Sequence, residues 1–239
     1  MKLKVESDKE QETLNKFREV TADLKVDDET LLRFMRAREW DLNRAEDMLR
    51  KSIKWREDNN VSSYLSYEPP EYLKEDFVFE MLPTDNEGRP VIYVPLGRWN
   101  ARQWVEKGFK EDCLKFRFYI FELVAERTRD VNASSITLIL DLAELTYYKC
   151  ASLETMQLLY YGLKDLEANY PEILKTCYII NAPWLFPTAY NFFKPIFSQR
   201  TLNKFKIFDS DRNNWHAKLM DVMTDESLPK VLREVPTQM

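Results

Sequence analysis

Apolar positions along this chain change their period near residue 65. Before that point they recur at helical spacing; beyond it, short apolar runs alternate with helical stripes. Residues 12–24 are mixed and charged, and Asp27-Asp28 offers a cap before ETLLRFMRARE. In that segment Leu31, Leu32, Phe34 and Met35 are apolar, whereas Arg33, Arg36 and Arg38 are basic. Residues 41–58 place Ala45, Met48, Leu49, Ser52, Ile53 and Trp55 near one helical stripe. These segments predict a small helical subdomain over residues 1–65, too thin to stand alone and expected to pack on the remainder of the chain.

Residues 66–74, with Pro69-Pro70, break the pattern and predict a linker. A strand–helix rhythm then fills residues 66–239. Strands are expected at 77–82 and 90–96, joined through Asp85-Asn86-Glu87-Gly88, and at 135–142, 176–181 and 204–208. The run SITLILDL is nearly continuous apolar, as in a strand covered on both faces. Helices are expected at 112–129, 153–169 and 214–223. A shorter amphipathic one is expected at 187–197, with Leu185, Ala189, Phe192, Phe193 and Ile196 on one face. Strands separated by helices predict an α/β fold: a mostly parallel sheet with crossover helices, and the N-terminal helical subdomain packed on it.

Composition narrows the function by exclusion. An apolar content of 44% with 13% aromatics supports a substantial core, and the net charge of −5 argues against nucleic acid as a partner. The longest apolar runs fall short of the ~20 residues of a membrane span, and MKLKVESDKEQE has no apolar centre of a secretory signal. Three scattered cysteines, Cys113, Cys150 and Cys177, read as reduced thiols of a cytoplasmic protein. The four glycines are too far apart to cradle a phosphate, and His216 is the lone histidine. No cofactor, metal site or catalytic constellation is expected, and the chain reads as a non-enzyme.

Four features need more than a core. Residues 182–197 hold ten apolar residues, three prolines and one charge, Lys194, which suits either a buried core or a lipid-facing surface. The Arg33/Arg36/Arg38 cluster is either a solvated basic face or contains one arginine turned to an anion. Tyr170-Pro171-Glu172 ends a helix, yet leaves a carboxylate available to hydroxyls or an arginine. Thr201 and Lys204 would share a face on one helical turn, a geometry suited to phosphate, although the spacing alone is weak.

Two blocks then resemble the CRAL-TRIO lipid-binding family, in its phosphatidylinositol-transfer branch. LLRFMRAREWDLNRAEDMLRKSIKWRED is similar to the family's N-terminal helical region, and YPEILKTCYIINAPWLFPTAYNFFKPIFSQRTLNKFKIF to its lipid-binding core. The likeness runs from about residue 27 to 229. It implies that Arg38, Glu172, Thr201 and Lys204 contact the inositol phosphate head group. It also implies a mobile gate at 187–197, with Pro187, Phe192, Phe193, Lys194, Ile196 and Phe197, closing over the acyl chains. At ~0.8 kcal/mol per CH₂, two chains of about sixteen carbons carry roughly 25 kcal/mol, so an enclosed apolar cavity is expected. Two departures stand out. Ile136 and Leu138 occupy positions that carry hydroxyls in choline-lipid exchangers, and LPKVLREVPTQM lacks the paired glycines often found there. The resemblance implies a carrier of phosphatidylinositol or another hydrophobic lipid, cytoplasmic and transiently bound to a membrane surface. Two alternatives stay open: a lipid-sensing regulatory module without net transfer, and a carrier of a small retinoid-, tocopherol- or sterol-like ligand.

Overall fold

The computed structural model describes residues 3–233. Three helices open the chain: α1 (Asp8–Val20), α2 (Asp28–Ala37) and α3 (Leu42–Asp58). Each is capped by the side chain just before it, Ser7, Asp27 and Asp41, which accepts a bond from a backbone N–H of the first turn. Their apolar stripes meet around Phe17, Met35, Ala45 and Leu49. A 3-10 turn (Val61–Ser66) and α4 (Glu71–Asp76) come next. The expected linker at 66–74 is therefore partly helical, because Pro69-Pro70 sits where proline starts a helix rather than breaking one.

Five strands form one sheet in the order β1 (Glu80–Leu82), β2 (Val91–Val94), β3 (Ile136–Asp141), β4 (Leu174–Ile180) and β5 (Phe205–Ile207). The β1–β2 pair is antiparallel and the other three pairs are parallel. Spatial order equals chain order, so right-handed crossovers stepping one way along the sheet all land on one face. These crossovers are α5 (Ala101–Glu106) and α6 (Lys110–Asp130), then α7 (Tyr147–Cys150) and α8 (Leu153–Asn169), then α9 (Phe186–Phe193) and α10 (Gln199–Leu202). The other face needs separate cover, and α11 (Arg212–Met220) with α12 (Lys230–Arg233) supplies it. There Trp215, Leu219 and Leu232 pack on Tyr93, Ile139, Tyr178 and Ile180.

The N-terminal helices do pack on this body. Trp55 meets Phe118 and Tyr170 edge-on at 5.5 and 6.3 Å, and Arg56 bonds the buried Glu122 at 2.8 Å. Two helix expectations are corrected. The stretch 187–197 is not one helix: α9 ends at Phe193 and a 3-10 turn covers Lys194–Ile196, because Pro195 has no N–H to continue the ladder. Thr201 and Lys204 do not share a full helical turn either, since α10 stops at Leu202 and Lys204 leads into β5. The C-terminal departure in LPKVLREVPTQM extends into residues 234–239, outside the described residues.

Candidate functional site

Parallel pairing puts residues that precede neighbouring strands at the same edge of the sheet. Glu172 lies just before β4 and Lys204 just before β5, so both stand at the N-terminal edge. Pro171 leads into Glu172, whose φ of 58° is left-handed, a conformation that costs a non-glycine residue about 1 kcal/mol or more. Its carboxylate is only 11% exposed and receives Lys204 Nζ at 3.4 Å. It also accepts two bonds from Arg200, Nε at 2.6 Å and Nη2 at 3.0 Å. Burial alone would push the Glu172 pKa up, but Arg200 and Lys204 outweigh it and hold the acid below its usual range. Burial pushes the Lys204 pKa down, with Arg200 adding to it, and Glu172 only partly opposes this.

Beside this group, Ser198 caps α10 by accepting Thr201 N–H at 3.2 Å. The Thr201 hydroxyl donates to Glu167 in the last turn of α8 at 2.9 Å, and Ser198 N–H donates to the same carboxylate at 3.0 Å. Glu172, Thr201 and Lys204 thus gather at one edge, with Arg200, Glu167 and Ser198 among them. Sequence reasoning missed those three. Arg200 adjoins Thr201, and its charge beside the Thr/Lys pair was the available signal.

Arg38 stands apart from that group. Arg33 pairs with Glu29 and Arg36 with Glu6, whereas Arg38 donates to the Ala37 carbonyl at 3.1 Å and makes no ion pair among the described residues. It ends α2, and its neighbour Glu39 lies close enough to Arg200 to help raise that residue's pKa, behind the larger effect of Glu172. No bond joins Arg38 to Glu172, Thr201 or Lys204 among the described residues.

The opposite, C-terminal edge is pinned by Asp141. Its carboxylate accepts from Tyr93 OH (2.9 Å), Ala143 N–H (2.9 Å) and the Asn181 amide (2.8 Å), tying the ends of β2, β3 and β4 together. From there α9 runs back toward the N-terminal edge, so the segment expected as a gate is itself the last crossover. It buries no residue within α9. Pro187 and Lys194 are exposed, Phe193, Ile196 and Phe197 are half-buried, and Trp184 just before the helix is 85% exposed. Phe192 meets Tyr160 of α8 at 6.0 Å, and Phe197 meets Phe205 of β5 at 5.2 Å.

Between these edges the two faces of the central strand differ. Ile139 is fully buried toward α11, while Leu138 and Leu140, facing the crossovers, stay partly accessible. Around them Leu174, Ala182, Phe186 and Phe205 are also only partly buried. Ile136 shares that face, and Thr137 points the other way to bond Asp85 at 2.9 Å. Clefts of about 550 and 260 Å³ open elsewhere, the larger beside Asp76, Glu80, Arg98 and Lys230. Among the described residues no acidic, histidine or cysteine cluster could hold a metal, and no helix is long and apolar enough to cross a membrane.

Comparison with known proteins agrees with this architecture. Residues 74–232 match the CRAL/TRIO domain and residues 1–51 the CRAL/TRIO N-terminal domain. The SEC14 cytosolic factor of Kluyveromyces lactis is 32% identical over 93% of this chain and 77% of that protein. A CRAL-TRIO domain-containing protein of Caenorhabditis elegans is 28% identical over 86% of this chain. Protein real-time of Drosophila pseudoobscura pseudoobscura is 26% identical over 85% of it. The matches cover only 29% and 31% of the latter two proteins. The crystal structure of Sfh5 shares the fold, with a TM-score of 0.67 at 18% identity over 86% of this chain and 82% of that one. The chain therefore belongs to the CRAL/TRIO family of lipid-binding proteins, in the branch that includes the SEC14 cytosolic factor.

Proposed function

We propose that this protein is a non-enzymatic carrier that encloses one phospholipid, phosphatidylinositol, and exchanges it at membrane surfaces from the cytoplasm. The observation that carries this reading is the half-accessible apolar face of β3 beneath α9. A central strand normally buries both faces. Here Leu138 and Leu140 keep access under a crossover helix that buries none of its own residues. Closure of α9 over that layer would complete the apolar chamber that acyl chains require, at ~0.8 kcal/mol per CH₂ covered.

The strand edges then divide the labour. β4 spans seven residues, roughly 20 Å at the usual rise, with Glu172 at its start and the α9 connection at its end. Acyl chains would lie along the sheet beneath α9, and the phosphate would reach Lys204 and Thr201. Arg38, which has no carboxylate partner among the described residues, would approach from α2. The Ile136 and Leu138 side chains on the inner face offer a choline head no hydroxyl, which favours the inositol lipid.

The test is transfer of fluorescent phosphatidylinositol between donor and acceptor vesicles. Lys204→Ala and Arg38→Ala should each slow transfer about tenfold or more with an unchanged circular dichroism spectrum. Undiminished transfer in both variants would remove the head-group assignment. Lipid binding without transfer in the unaltered protein would instead make it a sensor.

A further inference from the structure

The residues expected to read the head group do not by themselves make an anion site. Lys204 faces two carboxylates, Glu172 at 3.4 Å and Glu167, which is close enough to raise its pKa. Arg38 makes no bond to this group, so beside Lys204 the count is one cation against two anions, which disfavours a phosphodiester. Arg200 changes that count to two against two, and it does so with its side chain 46% exposed at the rim. Its two bonds to Glu172 are shorter than the one made by Lys204, so the carboxylate is held by the guanidinium and the ammonium is only loosely engaged. The remaining acids near Arg200 are Glu39 and Glu6, the latter already paired with Arg36.

Resting on the carrier reading above, we propose that Arg200 is a further specificity-determining residue of this site. It neutralises Glu172 so that Lys204 is released to an anionic phosphodiester head group. When Lys204 turns to the phosphate, Glu172 keeps its Arg200 partner and is not left buried and unpaired, a condition that would oppose binding. Without Arg200, Glu172 closes on Lys204 and the site loses its preference for an anion.

Equilibrium loading of fluorescent phosphatidylinositol from phosphatidylcholine vesicles, read for five forms of the full chain, tests this. Relative to the unaltered protein, Arg200→Ala should weaken loading about tenfold or more, and Arg200→Lys should stay within about threefold. Arg200→Ala combined with Glu172→Gln should recover most of the loss, because a neutral residue 172 no longer holds Lys204 and needs no Arg200 partner. Lys204→Ala reports on the location of the site itself. Loss in Lys204→Ala with none in Arg200→Ala overturns the role of Arg200 and leaves the head-group location standing. Loss in Arg200→Ala that neither Arg200→Lys nor Glu172→Gln relieves overturns the charge argument. No loss in either alanine variant overturns the location, and this inference with it.

Discussion

Tyr170 joins the site to the N-terminal helices through a single hydroxyl. It donates to Glu122 Oε1 at 2.7 Å while Arg56 donates to Glu122 Oε2 at 2.8 Å, so one buried carboxylate is shared between α3 and the residue two before Glu172. Tyr170→Phe leaves the ring contacts with Trp55 and Phe121 in place but deprives that carboxylate of a donor. It should cost about 1–3 kcal/mol in urea unfolding. Glu172 carries a pH signature. Its folded pKa lies below the ordinary value of 4.5, although burial alone would raise it, because Arg200 and Lys204 prevail. The unfolded chain thus binds more protons between those two values. The stabilisation from Glu172 is complete above about 4.5 and is lost as pH falls through the folded value. The melting temperature of the unaltered protein should exceed that of Glu172→Gln near neutrality, and the gap should shrink below that pH. A constant gap would show that the carboxylate does not titrate as described. Residue roles were only partly legible in sequence. Thr201 and Lys204 stand out by type, but nothing in the spacing says that Arg200 rather than Lys204 holds Glu172. That depends on α10 ending before Lys204.

At the scale of elements, close backbone approach sets the sharpest constraint. Gly97 leaves β2 and passes over the end of β3, with its N–H bonded to the Asp141 carbonyl at 2.9 Å. A Cβ there would lie 1.9 Å from the Ala143 carbonyl oxygen and 2.6 Å from the Leu142 carbonyl carbon, both backbone atoms that cannot turn aside. Gly97→Ala should therefore destabilise the fold by about 3 kcal/mol or more by denaturant titration. Gly162→Ala should cost less, since its nearest contact, at 2.9 Å, is the Arg117 side chain and not backbone. The helix also gains about 1 kcal/mol of intrinsic preference. Element type was readable wherever the period was long. The stripe at 153–169 matches α8 end for end, and the SITLILDL run contains β3. Two of the failures came from proline. Pro69-Pro70 starts α4 instead of marking only a linker, and Pro195 splits the expected gate into α9 and a 3-10 turn.

For the whole molecule, sheet order decides where a lipid could lie. Consecutive crossovers crowd one face, the C-terminal helices seal the other, and within the last crossover α9 buries none of its residues, with Phe186 in the same apolar layer as Leu138 and Leu140. The same segment begins at the Asp141-pinned edge and ends in Arg200 and Thr201, so a movement of α9 would be transmitted along the chain to the residues proposed to read the head group. That continuity would couple opening of the chamber to release of the phosphate. The most direct test is mass spectrometry of lipids retained by the purified full chain after exposure to mixed vesicles, compared with Lys204→Ala. Phosphatidylinositol should be the dominant bound species at near-stoichiometric level and should fall at least tenfold in Lys204→Ala. A retained sterol-like or other uncharged ligand in its place, insensitive to Lys204→Ala, would contradict the account.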